Sequence, residues 1–414
     1  MTTSTQPPGD ARQKVRLLEG GQEYFPALIA AFEGARRWIQ LETYIFDVHG
    51  AGARVAEALA CAAGRGVTVQ VLVDGIGTES LPAAWQARFA ETGVQWCVYS
   101  PLGSGFGFLL PERWRRLHRK LCIVDQHTVF CGGINVLDDF YDPNYGALES
   151  PRFDFAVQVT GPMANVAADA AALLWWRVQA GYSARQRHLS AAWETFKAAG
   201  YGGRSVPIQA DSAWTESGRA ALPGSKAVLI LRDNLRNRSS IERAYRRAIG
   251  RARHDVVIAN AYFVPGGKLR RALISAARRG VRVTLLLQGR YEYFMQYHAA
   301  RPVYGALLAA GVEIHEYEAS FLHAKVAVID GHWATVGSSN LDPLSLLLAR
   351  EANVVVEDRA FAADLLRRLQ AAVASHGRPI EPHVYARRPL RQRVLNWVAY
   401  ALMRLALFLT GQRY

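Results

Sequence analysis

Apolar and polar residues follow two alternating rhythms along this chain. Segments such as "YFPALIAAFEGARRW" (24–38) and "SSIERAYRRAIGRA" (239–252) place apolar residues three or four positions apart, which predicts amphipathic helices. Short β-branched runs such as "VTVQVLVD" (67–74) stand between such segments and predict buried strands. Helices that alternate with buried strands predict an α/β fold around a mixed or largely parallel sheet.

The order of predicted elements occurs twice. The stretch "AAGRGVTVQVLVDG" (62–75) aligns with "AARRGVRVTLLLQG" (276–289). Upstream, "WIQLETYIF" (38–46) aligns with "VVIANAYFV" (256–264). A self-similarity of this length indicates a duplicated fold, so we expect two halves that are each an α/β sandwich.

Composition divides the chain into segments. Residues 1–20 are polar, contain two prolines and lack the apolar core of a signal peptide, so they predict a flexible arm. The span 181–227 is rich in Gly, Ser and Ala and predicts a linker between a first half at 21–180 and a second half at 228–375. Residues 376–414 form a basic and apolar C-terminal segment.

The overall charge indicates the kind of partner. A formal net charge of +14 and a pI near 9.8 predict a polyanion, either nucleic acid or an anionic membrane surface, and charge alone does not separate the two. The four cysteines form no C-x-x-C pair, which predicts reduced residues and favours a reducing compartment.

One short motif occurs in both halves with the same spacing. It reads His-x-Lys followed by Asp and Asn, in "LHRKLCIVDQHTVFCGGIN" (117–135) and in "LHAKVAVIDGHWATVGSSN" (322–340). Its members are His118, Lys120, Asp125 and Asn135 in the first copy, and His323, Lys325, Asp330 and Asn340 in the second. Most of the residues between them differ, so we infer that the matched residues share one role.

Strand geometry sorts these residues by face. Alternate side chains of a strand share a face, so His118 and Lys120 point the same way, as do their counterparts in the second copy. Asp125 and Asp330 lie an odd number of residues away. Their position predicts the opposite face and a structural role, in a turn or in a contact between the halves.

Two imidazoles and two ammonium groups that converge on one pocket suit phosphoryl transfer. Lysine and asparagine side chains would neutralise the non-bridging oxygens, while one imidazole attacks phosphorus and the other protonates the leaving oxygen. A nucleophilic imidazole needs an acceptor for its second nitrogen, and Asp154 in "RFDFAVQV" and Glu351 in "REANVVV" are the candidates. Ser338 shares the face of Asn340, whereas its counterpart Gly133 has no side chain, so the copies are chemically unequal.

The paired motif resembles that of the phospholipase D superfamily and, more narrowly, that of bacterial cardiolipin synthases. The resemblance extends from about residue 15 to 375 and includes "IANAYFVPG" and "HWATVGSSNLDPLSLLLAREANVVV". It implies two duplicated α/β/α sandwich halves with the active site at their interface, and neither a metal nor another cofactor. The implied reaction converts two molecules of phosphatidylglycerol into cardiolipin and glycerol through a phosphohistidine.

The resemblance also implies residue roles. The implied catalytic residues are His118, Lys120, Asp125, His323, Lys325 and Asp330. The implied supporting residues, which bind the substrate phosphate or hold the others, are Asn135, Asn340, Ser338, Asp154 and Glu351. By the same analogy His118 is the nucleophile and His323 the general acid, but the residues themselves leave that order open.

Two stretches favour lipid over nucleic acid. In 103–120, aromatic residues stand among arginines directly before the first motif, which predicts a loop on an anionic bilayer. The expected membrane-facing residues there are Phe106, Phe108, Trp114, Arg115 and Arg116. A loop packed on the core with a solvated basic face, or a base-stacking platform, would show the same composition.

The second stretch is the C-terminal one. Arginines at 387–393 precede sixteen mostly apolar residues, which is short for a membrane span and predicts an interfacial helix with Arg391 and Trp397 at the membrane. Packing of this helix on the body is the alternative. We therefore expect a peripheral membrane enzyme on the cytoplasmic side that acts on phosphatidylglycerol and does not bind nucleic acid; its oligomeric state is left open.

A phospholipase D-type hydrolase, a phosphatidyltransferase with another donor or acceptor, and a nucleic-acid phosphodiesterase are the alternative functions. All would share the covalent histidine intermediate. They differ in whether the pocket admits water, a lipid alcohol or a polynucleotide.

Overall fold

A computed structural model gives the fold and covers most of the chain. It describes residues 13–78, 80–101, 115–185, 214–215, 219–220, 226–233, 237, 239–290, 294–342 and 349–409. Three of the expected membrane-facing residues lie outside this part: Phe106, Phe108 and Trp114.

The first half is built around one mixed sheet. Its elements are β1 (Lys14–Glu19), α1 (Gly20–Glu33), β2 (Trp38–Thr43), α2 (Gly50–Gly64), β3 (Thr68–Asp74), α3 (Ala83–Thr92), β4 (Gln95–Tyr99), β5 (Arg116–Leu117), β6 (Leu121–Val124), β7 (Thr128–Gly132), β8 (Tyr141–Asp142), β9 (Gly146–Ala147), β10 (Phe155–Thr160) and α4 (Met163–Arg185). The sheet order is β1-β10-β7-β6-β2-β3-β4, in which β2, β3 and β4 run parallel. The remaining neighbours pair antiparallel.

The second half repeats this plan. Its elements are β11 (Trp214–Thr215), β12 (Arg219–Ala220), β13 (Ala227–Arg232), α5 (Ser240–Arg251), β14 (Asp255–Asn260), α6 (Gly267–Arg278), β15 (Arg282–Gln288), α7 (Phe294–Leu308), β16 (Glu313–Tyr317), β17 (Lys325–Ile329), β18 (Trp333–Gly337), β19 (Ala349–Glu357), α8 (Arg359–His376), β20 (Gly377–Pro379), α9 (Pro382–Ala386) and α10 (Leu390–Leu409). The sheet order is β11-β12-β13-β19-β18-β17-β14-β15-β16-β20. The predicted duplication and the mixed α/β class are confirmed.

Two predicted boundaries are wrong. The flexible arm was expected to reach residue 20, but β1 begins at Lys14 and pairs along its whole length with β10. Leu17 and Leu18 are buried on opposite faces of the strand, and this burial offsets the entropy of ordering it. The second half likewise extends past residue 375, because β20 adds to the edge of its sheet.

An apolar layer between the two sheets joins the halves. Ile123 and Val129 of the first half lie in the same buried cluster as Val326 and Val354 of the second. Helices α4 and α8 cover this layer, and β5 pairs in parallel with β19 across it. The motif strands β6 and β17 both contribute residues to this layer, so the layer brings the two motifs together.

The cysteines match their prediction. Cys97, Cys122 and Cys131 are buried, Cys61 is exposed, and all four are free thiols.

Candidate active site

His118 and His323 lie at the interface, and the backbone of each is held by the other half. The amide of His118 donates to the carbonyl of Arg350 at 3.0 Å. The amide of His323 donates to the carbonyl of Phe153 at 2.9 Å. Both contacts continue short parallel pairings, of β5 with β19 and of Leu322 with Phe153. The two histidines are thus fixed in matching positions on opposite sides of one site.

An acidic residue follows each of the two residues whose carbonyl accepts a histidine amide. Its carboxylate binds the imidazole of that same histidine. Nδ1 of His118 lies 3.1 Å from Oε1 of Glu351. Nδ1 of His323 lies 2.6 Å from Oδ2 of Asp154. Each imidazole therefore has its Nδ1–H held by a carboxylate of the other half, which leaves Nε2 for chemistry.

The two acids are supported differently. Oγ of Ser338 donates to Oε2 of Glu351 at 2.5 Å, and the amide of Ala352 donates to the same Oγ at 3.0 Å. At the matching position of the first half, a Cβ on Gly133 would lie 2.2 Å from Oδ1 of Asp154. The inequality of the two motifs has a steric cause, since the Asp154 carboxylate occupies the space that a side chain at position 133 would need.

Both lysines are buried beside the histidines. Lys120 is 2% and Lys325 0% exposed. Nζ of Lys120 donates to the carbonyl of His118 at 2.9 Å, and Lys325 makes the same bond to His323. Burial lowers the pKa of Lys120 to about 7, against the attraction of Glu351 and with the repulsion of Lys325. A bound anion would raise the pKa of Lys120 again and keep this lysine charged. The site is therefore suited to a phosphate.

The histidines are held neutral in the absence of a ligand. Burial lowers the pKa of His118, although Glu351 opposes the shift. Burial, followed by the charges of Lys325 and Lys120, places the pKa of His323 well below its ordinary value. Burial also raises the pKa of Asp154 to about 7. At neutral pH an imidazole with a free lone pair therefore faces the pocket.

Asp125 and Asp330 lie away from this pocket, at the far ends of β6 and β17. Each has a positive φ, 51° for Asp125 and 49° for Asp330. The carboxylate of Asp125 accepts three backbone amides of residues 36–38 at 2.8–2.9 Å, and that of Asp330 accepts those of residues 253–255 at 2.8–3.0 Å. Both carboxylates thus bind backbone amides of turns and make no hydrogen bond or ion pair with either motif histidine. They fix the turns that orient the motif strands, as strand parity predicted.

Asn135 and Asn340 have different environments. Oδ1 of Asn135 accepts the amide of Ile45 at 3.1 Å. Asn135 also lines a cavity of about 280 Å³ together with Tyr44, Asp154 and His323. Asn340 is 2% exposed, and its Oδ1 has no hydrogen-bond partner among the described residues.

Sequence reasoning missed a pair of residues that hold the motif strands. Oδ2 of Asp74 accepts the amide of Leu117 at 2.7 Å, and Oε1 of Gln288 accepts the amide of Leu322 at 3.2 Å. Both amides belong to the residue directly before a motif histidine. The repeat alignment contained the signal, because it places Asp74 opposite Gln288 as the polar end of an apolar strand.

Arg116 pairs with Asp74, one of the residues that sequence reasoning missed. The prediction that Arg116 faces a membrane is wrong. Its side chain is 13% exposed and lies 3.1 Å from Oδ1 of Asp74. It also donates to the carbonyl of Ser100 at 3.3 Å. A carboxylate 42 residues earlier in the chain therefore draws this arginine inward. The neighbouring Arg115 is partly exposed.

The C-terminal helix α10 packs on the body along one face and exposes an apolar row on the other. Asn396, Ala399 and Met403 are buried, and Asn396 Oδ1 lies 2.7 Å from Nδ1 of His298 on α7. On the opposite face a row of large apolar residues is exposed: Leu390, Val394, Val398, Leu402 and Leu405. Trp397 is 58% exposed, and Arg391 is exposed. Within the described residues, no helix combines the length and the apolarity that crossing a membrane requires.

Comparison with known proteins identifies the same two halves. The family model described as "Cardiolipin synthase, PLD-like domain" matches residues 28–148 and again residues 245–372. Cardiolipin synthase B of Escherichia coli (strain K12) is 35% identical over 401 residues, which cover 94% of this chain and 88% of that protein. Cardiolipin synthase A of Salmonella arizonae is 28% identical over 393 residues, which cover 94% and 74%.

Solved structures share the fold. Phosphatidylserine synthase of Haemophilus influenzae Rd KW20 superposes with a TM-score of 0.65 at 14% identity, over 95% of this chain and 93% of that one. Polyphosphate kinase of Porphyromonas gingivalis superposes with a TM-score of 0.54 at 12% identity, over 95% and 53%. The resemblance found in the paired motif is confirmed: this chain belongs to the family of cardiolipin synthases with phospholipase D-like domains.

Proposed function

We propose that this protein is a phosphatidyltransferase that joins two phosphatidylglycerol molecules into cardiolipin and releases glycerol. One observation carries the proposal: two imidazoles, each oriented by an acid of the other half, lie at the interface of the halves, and each has a buried lysine bonded to its own carbonyl. Membership of the cardiolipin synthase family supports phospholipid as the substrate.

In the first step, Nε2 of one histidine attacks the phosphorus of the donor lipid. Following the family resemblance, we assign this role to His118, whose Nδ1–H is held by Glu351. The bond from phosphorus to the headgroup glycerol breaks, and the protonated His323 gives its proton to the departing oxygen. The products are a phosphatidyl-histidine and free glycerol.

In the second step, the headgroup hydroxyl of the acceptor lipid gives its proton to the now neutral His323. Its oxygen attacks phosphorus, and the phosphorus–nitrogen bond to His118 breaks. Cardiolipin leaves, and both histidines return to their initial states.

The lysines explain how His323, neutral in the empty site, gains a proton when the donor lipid binds. The negative phosphate of the donor offsets the charges of Lys120 and Lys325, which lower the pKa of His323 in the empty site. Substrate binding would therefore favour protonation of His323 and of Lys120 together. Lys120, Lys325 and the asparagines would stabilise the charge on the non-bridging oxygens.

The lipid substrate requires access to a membrane. The exposed apolar row of α10, with arginines at its N-terminal end, has the character of an interfacial anchor. We propose peripheral attachment to an anionic membrane through this face, on the cytoplasmic side. Arg391 and Trp397 would lie at the membrane surface, and Arg115 next to it.

The test is to incubate the purified full chain with phosphatidylglycerol liposomes in the presence of a chelator and to analyse the lipids by mass spectrometry. Cardiolipin with an equal amount of glycerol, absent in His323→Ala and retained in the exposed control His127→Ala, is the expected result. Phosphatidic acid alone would instead indicate a hydrolase. Loss of activity with chelator that a metal restores would contradict the proposed chemistry.

A further inference from the structure

A cleft separate from the active site lies between α7 and the C-terminal helices. Its volume is about 350 Å³. Residues from α7, α9, α10 and the turn before α10 line it, including Pro302, Gly305, Tyr385, Arg388, Arg393 and Trp397. Neither histidine of the two motifs, nor any residue hydrogen-bonded to them, contributes to its wall.

Two arginines face this cleft without an acidic partner among the described residues. Nε of Arg388 donates to the carbonyl of Tyr385 at 2.8 Å, and its guanidinium lies 3.3 Å from the centre of the Tyr385 ring. Arg388 is half-buried, and neither it nor Arg393 forms an ion pair with any described residue. By contrast, the neighbouring Arg301 pairs with Glu316 at 2.5 Å.

The electrostatic surroundings favour an anion at this place. Burial lowers the pKa of Arg388, Tyr385 opposes this shift, and the positive charges of Arg301 and Arg393 add to it. Residues 382–414 contain six arginines and no acidic residue. A partly buried cation without a counter-charge is unfavourable, so an anion that enters the cleft gains from both guanidinium groups.

The apolar surface beside the cleft indicates which anion this is. Trp397 lines the cleft and is also 58% exposed, so it connects the arginines with the exposed row of α10. Val394 and Val398 continue that row on either side of Trp397. A molecule with a phosphate and acyl chains would satisfy the arginines and the apolar row together.

We propose that the cleft between α7 and α10 binds the phosphate of an anionic phospholipid as a fixed anchor, distinct from the substrate lipids. The proposal rests on the proposed function, because it requires the protein to meet a phospholipid surface. The lipid phosphate accepts hydrogen bonds from Arg388 and Arg393, and its acyl chains lie along Val394 and Val398. The anchor holds α10 in one orientation on the membrane.

The test compares two double variants that remove the same charge. Arg388→Gln with Arg393→Gln removes both cleft arginines, whereas Arg387→Gln with Arg391→Gln removes two exposed arginines that do not line the cleft. Flotation of the full chain with phosphatidylcholine vesicles, with and without phosphatidylglycerol, measures binding. We expect the cleft variant to bind phosphatidylglycerol vesicles about tenfold more weakly than the control variant. Equal weakening of both would show general surface attraction and overturn the proposal.

Inorganic phosphate distinguishes the two sources of the anion. At constant ionic strength, we expect millimolar phosphate to leave vesicle binding of the unchanged protein within about twofold, because the apolar row contributes to lipid binding. Displacement from the vesicles by phosphate, absent in the cleft variant, would identify a soluble phosphate as the ligand and overturn the lipid assignment.

The same variants separate this proposal from the proposed function. In detergent micelles that contain phosphatidylglycerol, cardiolipin formation should be equal in the cleft variant and the unchanged protein, since the cleft does not touch the motif residues. Loss of activity in micelles, with an unchanged melting temperature, would make these arginines part of the catalytic machinery and contradict an anchor. If the unchanged protein made no cardiolipin, the proposed function would fail while the vesicle comparison would still decide on the anchor.

Discussion

His118 and Glu351 are 233 residues apart in the chain and form one hydrogen-bonded pair across the two halves, with 3.1 Å between Nδ1 and Oε1. His323 and Asp154 form the converse pair. In each case the carbonyl before the acid also accepts the backbone amide of the histidine. Each half thus supplies one imidazole and orients the other, and neither half contains a complete site.

Replacement of Glu351 by glutamine tests this cross-pairing. The amide keeps the size of the side chain but can present NH₂ to Nδ1 of His118, which favours the wrong tautomer. We expect the turnover rate to fall about 10²- to 10⁴-fold, with cardiolipin formation in micelles as the measurement. Glu357→Gln, at the exposed end of the same strand, is the control and should retain full activity. Comparable rates in both variants would exclude a functional role for the pair.

Gly133 is predicted to tolerate no side chain. A Cβ at this position would lie 2.2 Å from Oδ1 of Asp154, so Gly133→Ala must displace that carboxylate from His323. We expect a loss of about 1–3 kcal/mol in the free energy of unfolding, together with a large loss of activity. Chemical denaturation and the micelle assay measure the two effects. Gly64→Ala serves as the control, since nothing lies within 4 Å of its added Cβ; an equally small effect at both positions would contradict the steric account.

Asp74 is predicted to act as a positioning residue with an electrostatic effect on Lys120. Its charge raises the pKa of Lys120, which burial lowers to about 7. Asp74→Asn removes that charge, so Lys120 loses its proton at lower pH. The alkaline limb of the pH profile of kcat/KM should therefore shift to lower pH. A reduced rate with an unshifted profile would indicate that Asp74 only supports the strand.

Asp154 links stability to pH. Its pKa is raised from 3.8 to about 7 by burial, so the folded state binds this proton more tightly than the unfolded chain does. This contribution to the free energy of unfolding is fully present below about pH 3.8 and is lost as the pH rises through 7. Asp154→Asn removes the ionisation.

We therefore expect Asp154→Asn to be inactive, yet to melt at a higher temperature than the unchanged protein at pH 8. The difference should shrink at pH 5, where Asp154 is protonated. Melting curves at the two pH values check this, and a variant that melts lower at pH 8 would contradict the account.

Much of this protein follows from its sequence. The apolar periodicity predicted the α/β elements, and the repeat predicted two matching halves. The paired motifs identified His118, Lys120, His323 and Lys325, because alternate strand residues share a face whatever the rest of the chain does. The same alternation predicted that Asp125 and Asp330 lie on the opposite face from the histidines, in turns. Their hydrogen bonds to turn amides agree with that prediction.

Only the tertiary structure decided which acid serves which histidine and where the arginines lie. Asp154 lies closer in the chain to His118 than to His323, but the packing of the two sheets on their shared apolar layer brings it to His323. Arg116 likewise turns inward to Asp74, although its neighbours in the sequence predicted a surface. Local pattern determines the face on which a side chain lies, whereas its partner depends on contacts between residues far apart in the chain, which form only when both halves fold together.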